Sequence, residues 1–267
     1  MARGDGDLAV QCFYRAVDRD PENLDALQCL ATALAATGRH QETLPIYKMI
    51  VNLAPDDPKG DFRQAGATAR FNLAVALSRL EQFDQAAQAY RELLADHDDF
   101  GQAWYNLASL CHSQGRLTEA RDAWKQVVRL NPRLVTAQVQ LGEVLMDLGE
   151  PAEAMKAYAE AAKLQSADPA AWLNLANAAQ AAGSLGRAAT ALKRAAELTP
   201  NDATVWARLG DVLLGIHRAT SERPFLNEAV AAWRESLRLN GDQKRIRELI
   251  ATYEKVLTTQ PSTGKSP

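Results

Sequence analysis

Only three cysteines, Cys12, Cys29 and Cys111, occur in 267 residues, an odd number with no paired spacing. That pattern excludes a disulfide framework and offers no Cys-x-x-Cys metal site; it suits a reducing, cytoplasmic setting. Lysine and arginine (30) nearly balance aspartate and glutamate (33), for a net charge of -3. No overall field therefore draws the chain to nucleic acid or an anionic membrane, and neither is expected as a partner. No apolar run approaches the roughly 18 residues of a membrane span, and the opening Met-Ala-Arg-Gly-Asp-Gly-Asp lacks the character of a signal peptide. Aromatic residues are also scarce, at 6%. Against these absences stand 47% hydrophobic and 24% charged residues, a balance that supports a sizeable core and rules out a wholly disordered chain.

One short word recurs along the chain. Asn72-Leu73-Ala74, Asn106-Leu107-Ala108 and Asn174-Leu175-Ala176 match outright; Gln140-Leu141-Gly142 and Arg208-Leu209-Gly210 are variants. The five leucines are spaced 34 residues apart. Leu30-Ala31 begins a further copy 43 residues before Leu73, so nine extra residues intervene, and Asp57-Pro58-Lys59-Gly60 places them in a connection. The second half of each copy repeats too. One copy reads Trp104, Leu107, Ala108, Gly115, Ala120, Trp124, Leu130, Pro132, and another Trp172, Leu175, Ala176, Gly183, Ala188, Leu192, Leu198, Pro200.

Trp104, Leu107, Ala108 and Cys111 fall at i, i+3, i+4 and i+7, one face of a helix. Gly38, Gly115, Gly149 and Gly183 suit the positive φ of a turn between two helices, and Pro55, Pro132 and Pro200 stop the second helix. One such hairpin cannot bury its own apolar face, so the hairpins must stack. The spacing predicts an all-α solenoid with one continuous core over residues 1–258.

The pattern of an aromatic, Leu-Ala or Leu-Gly, a later Ala, a second aromatic and a closing Pro resembles the tetratricopeptide repeat (TPR), over nearly the whole chain. The resemblance implies a right-handed superhelix and a protein-interaction role without catalysis. Full repeats are expected at about 24–57, 67–100, 101–134, 135–168, 169–202 and 203–242. A half repeat over 1–22 has Gly4 as its turn glycine, with Ala9, Phe13 and Pro21 following; its hairpin partner would lie upstream of Met1. After Leu213 and Leu214 the turn grows by seven residues, and His217 to Phe225 reads as a long polar loop around Pro224. Ile246, Leu249, Ile250, Tyr253 and Leu257 mark a capping helix at 243–258, followed by a disordered tail at 259–267.

Motifs for chemistry fail on context. Gly264-Lys265-Ser266 mimics the end of a phosphate-binding loop, and Gly4, Gly6 and Ala9 a dinucleotide fingerprint, but no strand precedes either. His40, His97, His112 and His217 have no metal-ligand spacing. No Ser-His-Asp arrangement resembles a nucleophile elbow. No cofactor or metal is expected. Cys12 and Cys29 fall on successive helices and read as buried free thiols. Trp104, Trp172 and Trp206 share one repeat position, Trp124 and Trp233 another, and both read as core.

The first helices of stacked hairpins line the concave side. With the core face assigned, the groove of one repeat shows Gln102, Tyr105, Asn106, Ser109, His112 and Ser113. Among the thirty-six equivalent residues only Asp25, Arg79, Glu143, Asp147, Arg208 and Asp211 are charged, and none is lysine. The residue before the core leucine runs Cys29, Asn72, Asn106, Gln140, Asn174, Arg208, with four carboxamides in succession. An amide both donates and accepts, so such a ladder can hold a peptide backbone without reading its side chains. It is similar to the asparagine ladder in the TPR superhelix of O-GlcNAc transferases. Asn72, Asn106 and Asn174 match that position, Gln140 nearly so, and Cys29 and Arg208 depart; the catalytic domain of that family is missing.

The candidate peptide-binding groove thus comprises Phe71, Asn72, Tyr105, Asn106, Gln140, Glu143, Asp147, Asn174, Asn177 and Arg208. Glu143 and Asp147 lie on one face with no cation in their own repeat, whereas Asp211 has Arg208 three residues away. The chaperone-tail carboxylate clamp needs groove lysines and neighbouring arginines, and is not present. The expected partner is an extended protein segment. Two further readings stay open: a module that self-associates through its terminal helices, and the substrate-recruiting part of a longer glycosyltransferase-type enzyme.

Overall fold

The computed structural model describes residues 3–54 and 63–259. Among the described residues there are fourteen α-helices and no strand, so the fold is all-α, as the periodicity requires. The chain divides into two compact units, Met1–Asn131 and Pro132–Pro267. The first holds α1 (Arg3–Arg19) and three hairpins: α2 (Leu24–Ala36) with α3 (His40–Leu53), α4 (Arg63–Arg79) with α5 (Phe83–Asp96), and α6 (Gly101–Ser113) with α7 (Leu117–Leu130). The second holds α8 (Val135–Asp147) with α9 (Pro151–Leu164), α10 (Pro169–Ala181) with α11 (Leu185–Leu198), α12 (Ala203–Thr220) with α13 (Arg223–Leu239), and α14 (Lys244–Thr259).

Short polar residues start several first helices. Asn23 Oδ1 accepts from the Ala26 N–H at 3.0 Å, Asp168 from Ala170 at 2.9 Å and Asp202 from Thr204 at 2.8 Å, each satisfying an orphan donor of the first turn. The turns to the second helices share one construction. At Gly115 (φ 70°) the Arg116 N–H reaches the Cys111 carbonyl at 2.9 Å and the Gly115 N–H that of His112 at 3.0 Å. That is a Schellman closure, which needs left-handed backbone at its centre. Gly38, Gly149 and Gly183 repeat it, while Glu81 adopts the same left-handed backbone (φ 59°) without being glycine.

The core is built from small residues facing large ones. Ala31, Ala74, Ala108 and Ala176 are fully buried, as are the rings of Tyr90, Trp124 and Trp233. Where the small residue is glycine the approach is closest: a Cβ on Gly142 would stand 2.7 Å from the Tyr158 ring, and one on Gly210 would run into the Trp233 indole. Leu107, Leu141 and Leu209 are buried, whereas Leu73 and Leu175 are only half-buried.

Several expectations need correction. Trp104, Trp172 and Trp206 are half-buried rather than core, because each indole N–H turns outward to a backbone carbonyl six residues back. Cys12 and Cys29 are exposed; only Cys111 is buried, and burial raises its thiol pKa. Gly4 lies inside α1 and makes no turn.

No long loop follows Leu214. The seven extra residues lengthen both helices, so α12 has 18 residues and α13 has 17, against 13 in α10 and 14 in α11. Ser221 supplies the left-handed turn (φ 60°), and Pro224 falls in the first turn of α13, where a missing N–H costs nothing. The lengthened pair holds the capping helix: Arg218 donates to Tyr253 Oη at 2.8 Å and Arg223 to the Leu257 carbonyl at 2.7 Å. Part of the nine-residue insertion likewise extends α4 back to Arg63. Thr259 closes α14 rather than opening a tail. Pro55, the 57–60 connection and Gly264-Lys265-Ser266 lie outside the described residues.

Candidate functional site

In the first unit, residues of α2, α4 and α6 stand beside tyrosines from the second helices, with alanines from α2 and amides from α4 and α6. Two clefts of about 350 Å³ open there. One lies between the α2–α3 hairpin and α4, where Ala35, Tyr47, Asn72 and Ala76 give it small apolar walls with one amide. The other lies between the α4–α5 hairpin and α6, among Ser78, Tyr90, Tyr105, Asn106, Ser109 and Ser113. Val75 and Arg79 line both, and neither has a carboxylate on its wall.

Of the groove residues expected in this unit, Asn72, Tyr105 and Asn106 all line a cleft. Phe71 lines neither; its ring stacks on Phe100 with centroids 5.2 Å apart and tilts against Tyr90. Asn106 is partly committed already. Its Nδ2 donates to Tyr90 Oη at 3.2 Å and its Oδ1 accepts from Gln102 Nε2 at 3.2 Å, leaving one N–H and one lone pair. Tyr105 meets Trp124 edge-on, with centroids 4.9 Å apart. Burial raises the pKa of Tyr47 and of Tyr90, partly offset at Tyr90 by its hydrogen bonds to Asn106 and Ser78. Both phenols therefore remain neutral donors at physiological pH.

In the second unit the groove residues fall on α8, α10 and α12. Gln140 Nε2 donates to Glu143 Oε2 at 2.6 Å. Asn174 is half-buried on α10 and Asn177 exposed one turn further on. Arg208 reaches from α12 to Asn177 Oδ1 and to Gln180 Oε1, the latter at 3.1 Å, so it does not neutralise Asp211 as the sequence suggested. Asp211 instead takes Arg245 of α14 at 2.8 Å and the Trp233 indole N–H at 3.2 Å. Burial, with Glu143 and Asp147 nearby, pushes the Tyr158 phenol up to about 12.

The tyrosine hydroxyls of the clefts were missed, since Tyr47 and Tyr90 share the core position of Trp124. The signal available was that, among the six full repeats, this position carries Tyr three times, at Tyr47, Tyr90 and Tyr158, with Phe only in the half repeat, at Phe13. Among the described residues there is no cluster of metal-ligating side chains, and no helix is long and apolar enough to cross a membrane.

Family profiles described as tetratricopeptide repeat match residues 22–99, 71–134, 113–171, 139–203 and 173–236. Over 94 residues the chain is 31% identical to Protein CTR9 homolog of Arabidopsis thaliana, a match covering 35% of this chain and 8% of that protein. The chain therefore spans under a tenth of the length of this curated relative. Among solved structures it is similar to YrrB, a TPR protein with an unusual peptide-binding site, at a TM-score of 0.54 and 18% identity over 78% of this chain and 97% of that one. It is also similar to the C-terminal part of a TPR repeat-containing protein from Cytophaga hutchinsonii, at a TM-score of 0.59 and 15% identity over 92% and 95% of the two chains. At such identities the likeness is one of fold alone.

Proposed function

This chain belongs to the tetratricopeptide repeat family, and we propose that it is a non-catalytic interaction scaffold whose first unit holds an extended segment of a partner protein along α2, α4 and α6. The observation that carries this reading is the pair of open clefts in register with Asn72 and Asn106, each with one of these amides on its wall, beside small apolar residues in the first and hydroxyls in the second. Neighbouring hairpins pack roughly 10 Å apart and an extended chain advances about 3.3 Å per residue, so each amide meets about every third peptide residue. Groups that both donate and accept suit a backbone, which offers one N–H and one C=O per residue. The structural neighbour YrrB, with its peptide-binding site, supports the same use of the fold. In the second unit, Gln140 and Asn174 stand at the corresponding repeat positions and form part of the same proposal.

The test is a titration of peptides selected from a random twelve-residue phage library on the wild-type chain. The double variant Asn72→Ala, Asn106→Ala weakens every selected peptide about tenfold, from two lost hydrogen bonds, whatever the peptide's sequence. Lys125→Ala, on the exposed face of α7, leaves affinity unchanged. Equal affinity for wild type and the double variant would remove the groove as the binding surface.

A further inference from the structure

Arg79 occupies a singular place in the first unit. It closes α4, it is exposed, and it lines both clefts. Most other arginines of this unit are already engaged: Arg39 with Glu42 at 2.6 Å, Arg70 with Asp96 at 3.0 Å, Arg91 and Arg116 with Glu119 at 2.7 Å. Arg79 has no ion pair among the described residues. The carboxylate next along the chain, Glu81, sits in the α4–α5 turn and lines neither cleft. The remaining polar lining consists of neutral hydroxyls and amides together with His40, so nothing on the walls offsets the guanidinium.

We infer that Arg79 is a specificity-determining subsite of this groove, selecting extended peptides that place an Asp or Glu side chain between the two clefts. The inference rests on the groove reading above and adds to it the chemistry of the partner. A guanidinium presents a planar fork matched to a carboxylate, and bidentate pairing fixes the position of the acidic residue as well as its charge. About three peptide residues span one hairpin step, so an acid held at Arg79 puts a neighbour into each cleft. The Ala35–Tyr47–Ala76 side takes a small apolar side chain; the Ser78–Ser109–Ser113 side takes a polar one. This subsite differs from the chaperone-tail clamp, because one arginine reads a side-chain carboxylate rather than several cations gripping a chain terminus.

The experiment uses the same random twelve-residue library, selected on the whole chain, followed by titration of a recovered peptide and of its copy with the acid replaced by the amide. The Arg79 side chain makes no hydrogen bond among the described residues, so Arg79→Gln is expected to leave the fold intact, which circular dichroism verifies. The expected result is enrichment of Asp or Glu at one register position. Arg79→Gln then binds the acidic peptide about tenfold more weakly and the amide copy as wild type does. Arg79→Lys gives an intermediate loss, and the preference for acid shrinks with added salt. An unbiased selection, or equal affinity of wild type and Arg79→Gln for the acidic peptide, overturns the inference. If Asn72→Ala with Asn106→Ala weakens binding while Arg79→Gln does not, only the acidic preference falls. If neither variant matters, or nothing is recovered, the groove reading falls and takes this subsite with it.

Discussion

Trp104 donates its indole N–H to the backbone carbonyl of Asp98 at 2.9 Å, pinning the start of α6 to the turn that precedes it. The relationship recurs at the repeat spacing. Trp172 reaches Ser166 at 3.0 Å, Trp206 reaches Pro200 at 3.0 Å, and Gln138 uses its Nε2 on Pro132 at 3.3 Å. The same position thus ties α6, α8, α10 and α12 to the turn that precedes each, and explains why these tryptophans sit at the edge of the core.

Trp104→Phe keeps most of the apolar ring and removes the donor. Its expected cost is about 0.5–1.5 kcal/mol, the net worth of one hydrogen bond, measured as a fall in the urea midpoint. Trp104→Gln retains a donor of the kind already used by Gln138, so its loss should trace to packing and leave amide protection at residues 100–104 largely intact.

Glu81 is the one interior hairpin turn of the five Schellman closures without glycine. Left-handed backbone costs a side-chain-bearing residue roughly 1–2 kcal/mol, part of which glycine gives back through its freer unfolded chain. Glu81→Gly should therefore stabilise the protein by about 0.5–1 kcal/mol. Gly115→Ala, the reverse change at an equivalent turn, should destabilise it by about 1 kcal/mol or more. Urea midpoints of both variants provide the check.

Gly142 faces the buried Tyr158 ring, and an added Cβ at 2.7 Å has no room. Gly142→Ala should cost about 1–3 kcal/mol through forced repacking. At the equivalent repeat positions of the next hairpin stand Ala176 and the smaller Leu192, both fully buried. Gly142→Ala combined with Tyr158→Leu should accordingly cost less than the sum of the single changes, a coupling that a double-mutant cycle measures.

The repeat word, the helix pairing and the turn glycines were legible because they recur at fixed spacing, and recurrence survives without coordinates. The extension of α12 and α13 was not legible. Pro224 signals a break when read locally, but it opens α13 once Ser221 takes the left-handed turn. Separation along one helix points Arg208 at Asp211, whereas the side chain crosses to Asn177 and Gln180 on α10. The register of Asn72 and Asn106 on their helices was legible from the repeat. What register could not reveal is that Asn106 spends one N–H on Tyr90 Oη, a contact set by how α5 and α6 pack. Arg79 was visible as a groove charge; its position between two clefts needed three hairpins in place.

Glu119 reports on the surface network of α5 and α7. Hydrogen bonds from Arg116 and then Arg91 hold its carboxyl at about 2, well below the usual range. A depressed carboxyl contributes stability above its unfolded pKa of about 4.3, and that contribution is lost as pH falls towards 2. The Glu119 side chain is 44% exposed, so the contribution after solvent screening is under about 1 kcal/mol. Glu119→Gln should lower stability by that small amount at pH 7, and the gap from wild type should close by about pH 2.

The most direct measurement places a photo-crosslinking benzoylphenylalanine at Ser109, on the cleft wall, or at Lys125, on the exposed face of α7, and irradiates each with a library-selected peptide. Crosslinking at position 109 and not at 125, abolished by excess unlabelled peptide, is the outcome expected of a partner lying along α2, α4 and α6. Crosslinking at 125 with none at 109 would place the partner on the outer helices and contradict it.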